Sequence, residues 1–216
     1  MYLVTGLSGC GKSLYCKYLT TSVKFMYKAP IEIVHLDYLN GYLMNPAKYA
    51  HLLEESPILK SYVNNVLYPN PPYTDIDWDN DPKGYIRDFI LWLNEKEKFR
   101  NNEGTIYIVE GIQIFNVLDP CEFLINPIKK DSYTHNKLHV IDYGFLRCTF
   151  RRLKRRFGKP DGYQTKEEPF YKKLEHMFQY DINPAQFIEW IRFIKFKMRC
   201  KNYNNEEIRR AKYEYL

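Results

Sequence analysis

Gly6-Leu7-Ser8-Gly9-Cys10-Gly11-Lys12-Ser13 fits the spacing G-x-x-x-x-G-K-[ST] without a mismatch. The chemistry this pattern can do is to hold a polyphosphate. Its glycines let backbone N–H groups curl around an anion with no side chain in the way, and a helix starting behind them adds its positive end. Lys12 would hold the outer phosphates and the Ser13 hydroxyl would ligate magnesium. The residues expected to contact the nucleotide are Gly6, Leu7, Ser8, Gly9, Cys10, Gly11, Lys12, Ser13 and Leu14. Cys10 reads first as a small filler; the alternative is a thiol whose oxidation blocks binding, since helix N-termini lower thiol pKa values.

Two carboxylates and a run of arginines extend the constellation. Asp37 follows the apolar run Ile31–Leu36, and Glu110 follows Thr105–Val109. In an open α/β sheet, ligands sit beyond the carboxyl ends of the strands. Asp37 there can accept or orient the proton of an attacking hydroxyl. Glu110 can hold magnesium directly or through water, and Gly111 leaves room for a substrate beside it. Arg147, Arg151, Arg152, Lys154, Arg155 and Arg156 crowd ten residues after a fourth apolar run, 137–142. Arg147, Arg151 and Arg155 share a helix face, as do Arg152 and Arg156. Such a run is often a solvated face; beside a phosphate loop it suits neutralising a phosphoryl group in flight.

The elements that must position these groups alternate. Tyr2–Thr5, Ile31–Leu36, Thr105–Val109 and Lys137–Asp142 read as short buried strands. Residues 12–24 read as a helix carrying Leu14, Tyr18 and Leu19. Asp81-Pro82 opens another, with Ile86, Phe89, Ile90 and Leu93 at core-facing spacing. Asn183-Pro184 opens a last one, with Phe187, Ile191, Ile194 and Met198 on one stripe. Strands alternating with amphipathic helices predict an α/β fold with a mostly parallel sheet covered on both faces. Residues 56–81, with five prolines counting Pro82, read as an irregular excursion, and 158–169 as a mobile loop.

Composition bounds the rest. The 216 residues suffice for one well-cored domain. No run of about 18 apolar residues exists, so no membrane span is expected. The N-terminus lacks a leader pattern, and the five cysteines lack paired metal spacing, which fits a reducing, cytoplasmic setting. The net charge of +6 permits an anionic substrate. The 20 Tyr and 13 Phe fit an AT-rich coding bias or a stacking surface for bases. Asp75, Asp77 and Asp79 alternate as in a calcium loop but fail at positions six and twelve, and Tyr73 and Trp78 beside them could stack on a base. The five histidines show no ligand spacing and read as structural.

With these pieces assembled, the chain resembles P-loop kinases of the nucleoside and nucleotide kinase superfamily, particularly the uridine-kinase-like and zeta-toxin-like branches. Gly6 to Ser13 is similar to their phosphate loop, His35-Leu36-Asp37-Tyr38-Leu39 to their second-strand Asp, Val109-Glu110-Gly111-Ile112 to their Glu-Gly-Ile, and Arg147–Arg156 to their lid helix. The resemblance covers residues 1 to about 165 in order, and only its first stretch is highly specific. It implies a single P-loop NTPase domain, a three-layer sandwich with an acceptor-binding insert at 38–81 and a lid at 146–169. It implies ATP or GTP with magnesium, Lys12 and Arg151 as transition-state stabilisers beside Arg147, Asp37 as catalytic base, and Ser13 with Glu110 around the metal. The insert matches no branch, so the resemblance speaks to the reaction more than to the acceptor.

Three functions follow as expectations. The first is transfer of a γ-phosphoryl group to a hydroxyl of a small molecule, a nucleoside or nucleotide being the best fit. The second is a kinase acting on nucleic acid, at an end or a hydroxylated base. The third is a nucleotide-dependent switch or NTPase without an acceptor; a toxin kinase acting on a nucleotide sugar rests on family likeness alone.

Overall fold

The computed structural model of the chain describes residues 1–26, 28–67, 82–98, 104–119, 137–158 and 168–214. Four strands, β1 (Tyr2–Gly6), β2 (Ile31–His35), β3 (Ile106–Glu110) and β4 (Lys137–Ile141), form one sheet in the order β2-β3-β1-β4. The sheet is all-parallel. The fold is α/β, as the alternating pattern predicts. Parallel strands buried on their faces read as continuous apolar runs, and β1 is buried along its whole length while β3 is buried from Tyr107 onward. Register fixes what meets at the strand ends: Glu110 lies opposite Val4 on one side and His35 on the other.

The chain divides into two compact units. The first comprises Met1–Thr5, Lys12–Leu118 and Asn126–His139. Here α1 (Lys12–Met26) packs on β2 and β3, burying Cys16, Leu19 and Val23. Of the three apolar residues read at helical spacing, Leu19 is buried while Leu14 and Tyr18 are 75% and 67% exposed. The helix turns its small Cys16 toward the sheet, and positions 14 and 18 lie on the opposite side. Helix α5 (Pro82–Lys98) meets expectation: Ile86, Phe89, Ile90 and Leu93 are each at most 1% exposed. Each such side chain contributes about 1.5–3 kcal/mol on burial.

The described part of the expected irregular excursion is helical from Pro57 to Leu67. β2 runs straight into α2 (Leu36–Met44), followed by α3 (Pro46–Leu53), α4 (Pro57–Tyr62) and a π-turn, Val63–Leu67. Pro57, counted in that stretch, begins a helix, as Pro46 does before it. Pro46 and Pro57 occupy the first turn, where the missing N–H has no helical partner to lose. Asn45 caps α3 by accepting the Lys48 N–H at 3.1 Å. Asp81, Tyr73, Trp78 and the aspartates at 75, 77 and 79 lie outside the described residues.

The second unit comprises Gly6–Gly11, Asp119–Ile125 and Val140–Leu216. Its described residues form α7 (Phe145–Phe157), α8 (Phe170–His176) and α9 (Pro184–Glu214), with a π-turn at Met177–Asp181; α6 is the short helix Gln113–Val117 of the first unit. Residues 145–157 are helical as the arginine spacing predicts; most of the loop expected at 158–169 lies outside the described residues. The stripe expected on α9 is not its buried face. Phe187, Ile191 and Met198 are exposed, whereas Phe193 and Phe196 are buried. Phe187 instead joins a ring cluster with Phe145 and Trp190. Among the described residues, no helix is long and apolar enough to cross a membrane.

Candidate functional site

In the first unit the site begins at Glu110, a carboxylate only 6% exposed at the end of a central strand. A buried charge must be hydrogen-bonded or neutralised. The Ser13 hydroxyl donates to Glu110 Oε1 at 2.9 Å, and His35 Nδ1 reaches the same oxygen at 2.5 Å. A carboxylate only accepts, so Nδ1 carries the proton in this pair. The Cys16 thiol lies 3.7 Å from Oε2. Burial by itself would raise the Glu110 pKa; the hydrogen bond and charge of His35, the Ser13 hydroxyl and the charge of Lys12 outweigh it and hold the carboxyl below its usual range. Glu110 is therefore ionised at neutral pH.

His35, read as structural from sequence, is thus a partner of the central carboxylate. The parallel register sets it beside Glu110, and its ring packs against Tyr38 at 5.0 Å between centroids. Its position two residues before Asp37 was the available signal. Seeing its partner required the strand order.

Asp37 sits two residues beyond the strand, in the first turn of α2, where the helix dipole favours a negative charge. It is exposed, and its Oδ1 accepts the Gln113 side-chain amide at 2.6 Å. Gln113 opens the short helix α6 (Gln113–Val117) of this first unit. It was not anticipated from sequence. Its Oε1 is buried without a hydrogen-bond partner and packs on Gly111. A Cβ at Gly111 would stand 2.5 Å from that oxygen and 2.8 Å from Leu36 Cβ, so any side chain there forces both neighbours to shift. The Gly111 N–H donates to Val4 O, and its carbonyl accepts the buried Thr5 hydroxyl at 2.9 Å. Residues 110–113 are pinned from both sides.

In the second unit, Gly9 and Gly11 adopt φ of +86° and +93°, the left-handed region that glycine alone enters without strain. The Cys10 N–H donates to Leu7 O at 3.1 Å, and Cys10 is buried at 2%, as a filler residue would be. Two arginines of α7 hold loop carbonyls. Arg152 Nη1 donates to Ser8 O at 2.8 Å, and Arg151 Nη1 approaches Cys10 O at 3.4 Å while its guanidinium lies 4.0 Å over the Tyr143 ring. Arg151 and Arg147 are exposed; Arg152 is 7% exposed. Burial draws the Arg152 guanidinium below its usual pKa against the opposing pull of Asp181, and it stays charged. Sequence spacing singled out Arg147 and Arg151 and passed over Arg152.

The site can supply hard oxygen donors and an anion at one strand end, and no more protein ligands than that: among the described residues no group of three His, Cys, Asp or Glu side chains could hold a metal ion. Ser13 and Glu110 fit a magnesium ion that takes its remaining ligands from phosphate and water. Leu14, in the first turn of α1, has an exposed side chain. No protein-family model matches the chain, and no curated protein matches it.

Proposed function

We propose that the protein is a P-loop kinase that moves the γ-phosphoryl group of ATP, or GTP, to a hydroxyl of a small-molecule acceptor, best fitted by a nucleoside or nucleotide. The observation that carries this reading is the 2.9 Å bond between Ser13, the last residue of the phosphate-loop motif, and the buried, ionised Glu110. A Gly-rich loop alone is a turn. A loop whose terminal serine is tied to a strand-end carboxylate has the parts that a magnesium nucleotide requires.

In this reading the amides of residues 8–13 and the Lys12 ammonium hold the polyphosphate. Magnesium, held through Ser13 and Glu110, supplies charge neutralisation when bound. Asp37 accepts the proton of the acceptor hydroxyl as that oxygen bonds to the γ-phosphorus. The bond from phosphorus to the β–γ bridging oxygen breaks, and the nucleoside diphosphate leaves with that electron pair. Gln113 fixes the Asp37 carboxylate by its 2.6 Å bond. Arg151 and Arg147 are the candidates to offset charge on the transferred group.

The test is incubation with γ-labelled ATP, magnesium and a panel of nucleosides and nucleotides. Label appearing on an acceptor supports the reading. Intact ATP binding with no labelled product from any acceptor counts against it, and rapid hydrolysis without acceptor points to an NTPase or switch. A second reading places the acceptor hydroxyl on nucleic acid. Phe150, 73% exposed, stands among exposed Arg147, Arg151, Lys154 and Arg155 on α7, which suits stacking and phosphate contact. Salt-sensitive binding of a labelled single strand would favour it, and no binding at low salt would remove it.

A further inference from the structure

A loop that aims its amides at a phosphate must turn carbonyls the other way, and each buried carbonyl needs a donor. Ser8 O finds one in Arg152 Nη1 at 2.8 Å. Both terminal nitrogens of that guanidinium are hydrogen-bonded within the second unit, while its buried Nε makes no hydrogen bond. Its Nη2 donates to Thr149 Oγ1 at 3.0 Å and to the backbone carbonyl of Asp181 at 3.1 Å. Its Nε lies 3.8 Å from Asp181 Oδ1. The other carboxylate oxygen, Oδ2, is bound by Arg156 Nε. Asp181 is 4% exposed, at the end of the π-turn that follows α8. The loop lies flush on this assembly: a Cβ at Gly9 would stand 2.7 Å from Cys148 O and 3.1 Å from Arg152 Cγ.

We propose that Arg152 and Asp181 are positioning residues for the phosphate loop, a strap from the C-terminal part of the chain that keeps the Ser8 carbonyl turned outward and the loop amides ready for phosphate. This rests on the nucleotide-binding reading above. It also gives residues 177–182, which carry no motif, a part in the site. Arg152 differs here from Arg151: its terminal nitrogens donate to protein carbonyls and a hydroxyl, and its charge is paired with Asp181, so it acts through the loop and not on the transferred group. A guanidinium already fixed by several partners loses little further freedom when the loop closes on its ligand.

The experiment compares Asp181→Asn, Arg152→Lys and the double variant with the parent protein. Magnesium ATP affinity is titrated by calorimetry, KM and kcat are measured with any acceptor found, and amide hydrogen exchange at residues 8–11 is followed without nucleotide. The expected result is a tenfold or greater loss of affinity and a raised KM, with kcat within about twofold. Exchange at residues 8–11 quickens tenfold or more, while amides of β1 and β3 keep their rates. The double variant is no weaker than the weaker single, because both changes cut the same strap. Parental affinity and parental exchange in the folded single variants would overturn the proposal. Should Asp181→Asn and Arg152→Lys fail to fold, Arg156→Gln decides, since Arg156 lies nearer the surface: a threefold loss supports the strap, and no change refutes it. If the parent protein binds no magnesium ATP, the nucleotide reading falls, and loop exchange still decides the strap.

Discussion

Replacing Glu110 by glutamine keeps the shape of the side chain and removes its charge, and the consequences follow from three contacts. Ser13 and His35 converge on one oxygen at 2.9 and 2.5 Å, and the Lys12 charge adds to them. Hydrogen bonds to an ionised group are worth about 1.5–3 kcal/mol and neutral ones about 0.5–1.5. Two bonds weakened from the first class to the second amount to roughly 1–3 kcal/mol, part of which is returned by no longer burying a charge. The net sign is set by the direction of the Glu110 pKa, which lies below its ordinary value. A carboxylate with a depressed folded pKa contributes stability above its unfolded pKa, and that contribution is lost as pH falls through the folded pKa. Glu110→Gln should therefore be less stable at pH 7 by about 1–2 kcal/mol, and the gap should close as pH falls below the ordinary carboxylate range and through the depressed folded pKa. Urea unfolding of both proteins at half-unit pH steps measures it. A variant as stable as the parent at pH 7, or one whose deficit widens in acid, would refute the reasoning.

Other changes separate the roles. Asp37→Asn should leave nucleotide affinity unchanged and lower kcat by about 10²–10⁴-fold, read in steady-state kinetics against calorimetric affinity. Gly111→Ala must displace Gln113 Oε1 or Leu36, at a cost of about 1–3 kcal/mol, and its kcat should fall with the loosened Asp37; urea denaturation and kinetics read the two effects. Phe89→Ala empties the centre of the first unit's core and should destabilise by about 3–5 kcal/mol with little change in m-value.

Much of the frame was legible because buried parallel strands leave apolar runs and core helices leave a period. All four strands and α5 appeared where those signals stood. Periodicity failed where a helix is apolar on more than one side. On α1 the reading named Leu14, Tyr18 and Leu19, of which Leu19 alone is buried, and missed Cys16 and Val23; on α9 it named Phe187, Ile191, Ile194 and Met198 and missed Phe193 and Phe196. Pro57 was counted toward an irregular stretch, although Ser56 before it is a helix-starting residue. In the site, the motif named Ser13, and the strand ends named Asp37 and Glu110. The partners that orient them could not be named, because His35 depends on strand order, Gln113 on a fold-back of 76 positions, and Asp181 on packing within the second unit.

The central claim is that residues 6–13 hold a magnesium nucleotide. Calorimetric titration of the protein and of Lys12→Ala with ATP, in magnesium and in excess chelator, tests it most directly. The account predicts saturable one-to-one binding that weakens when magnesium is removed and by about 100-fold or more when the Lys12 ammonium is removed. Heat signals that stay flat with ATP and GTP alike, or binding that Lys12→Ala leaves intact, would contradict it.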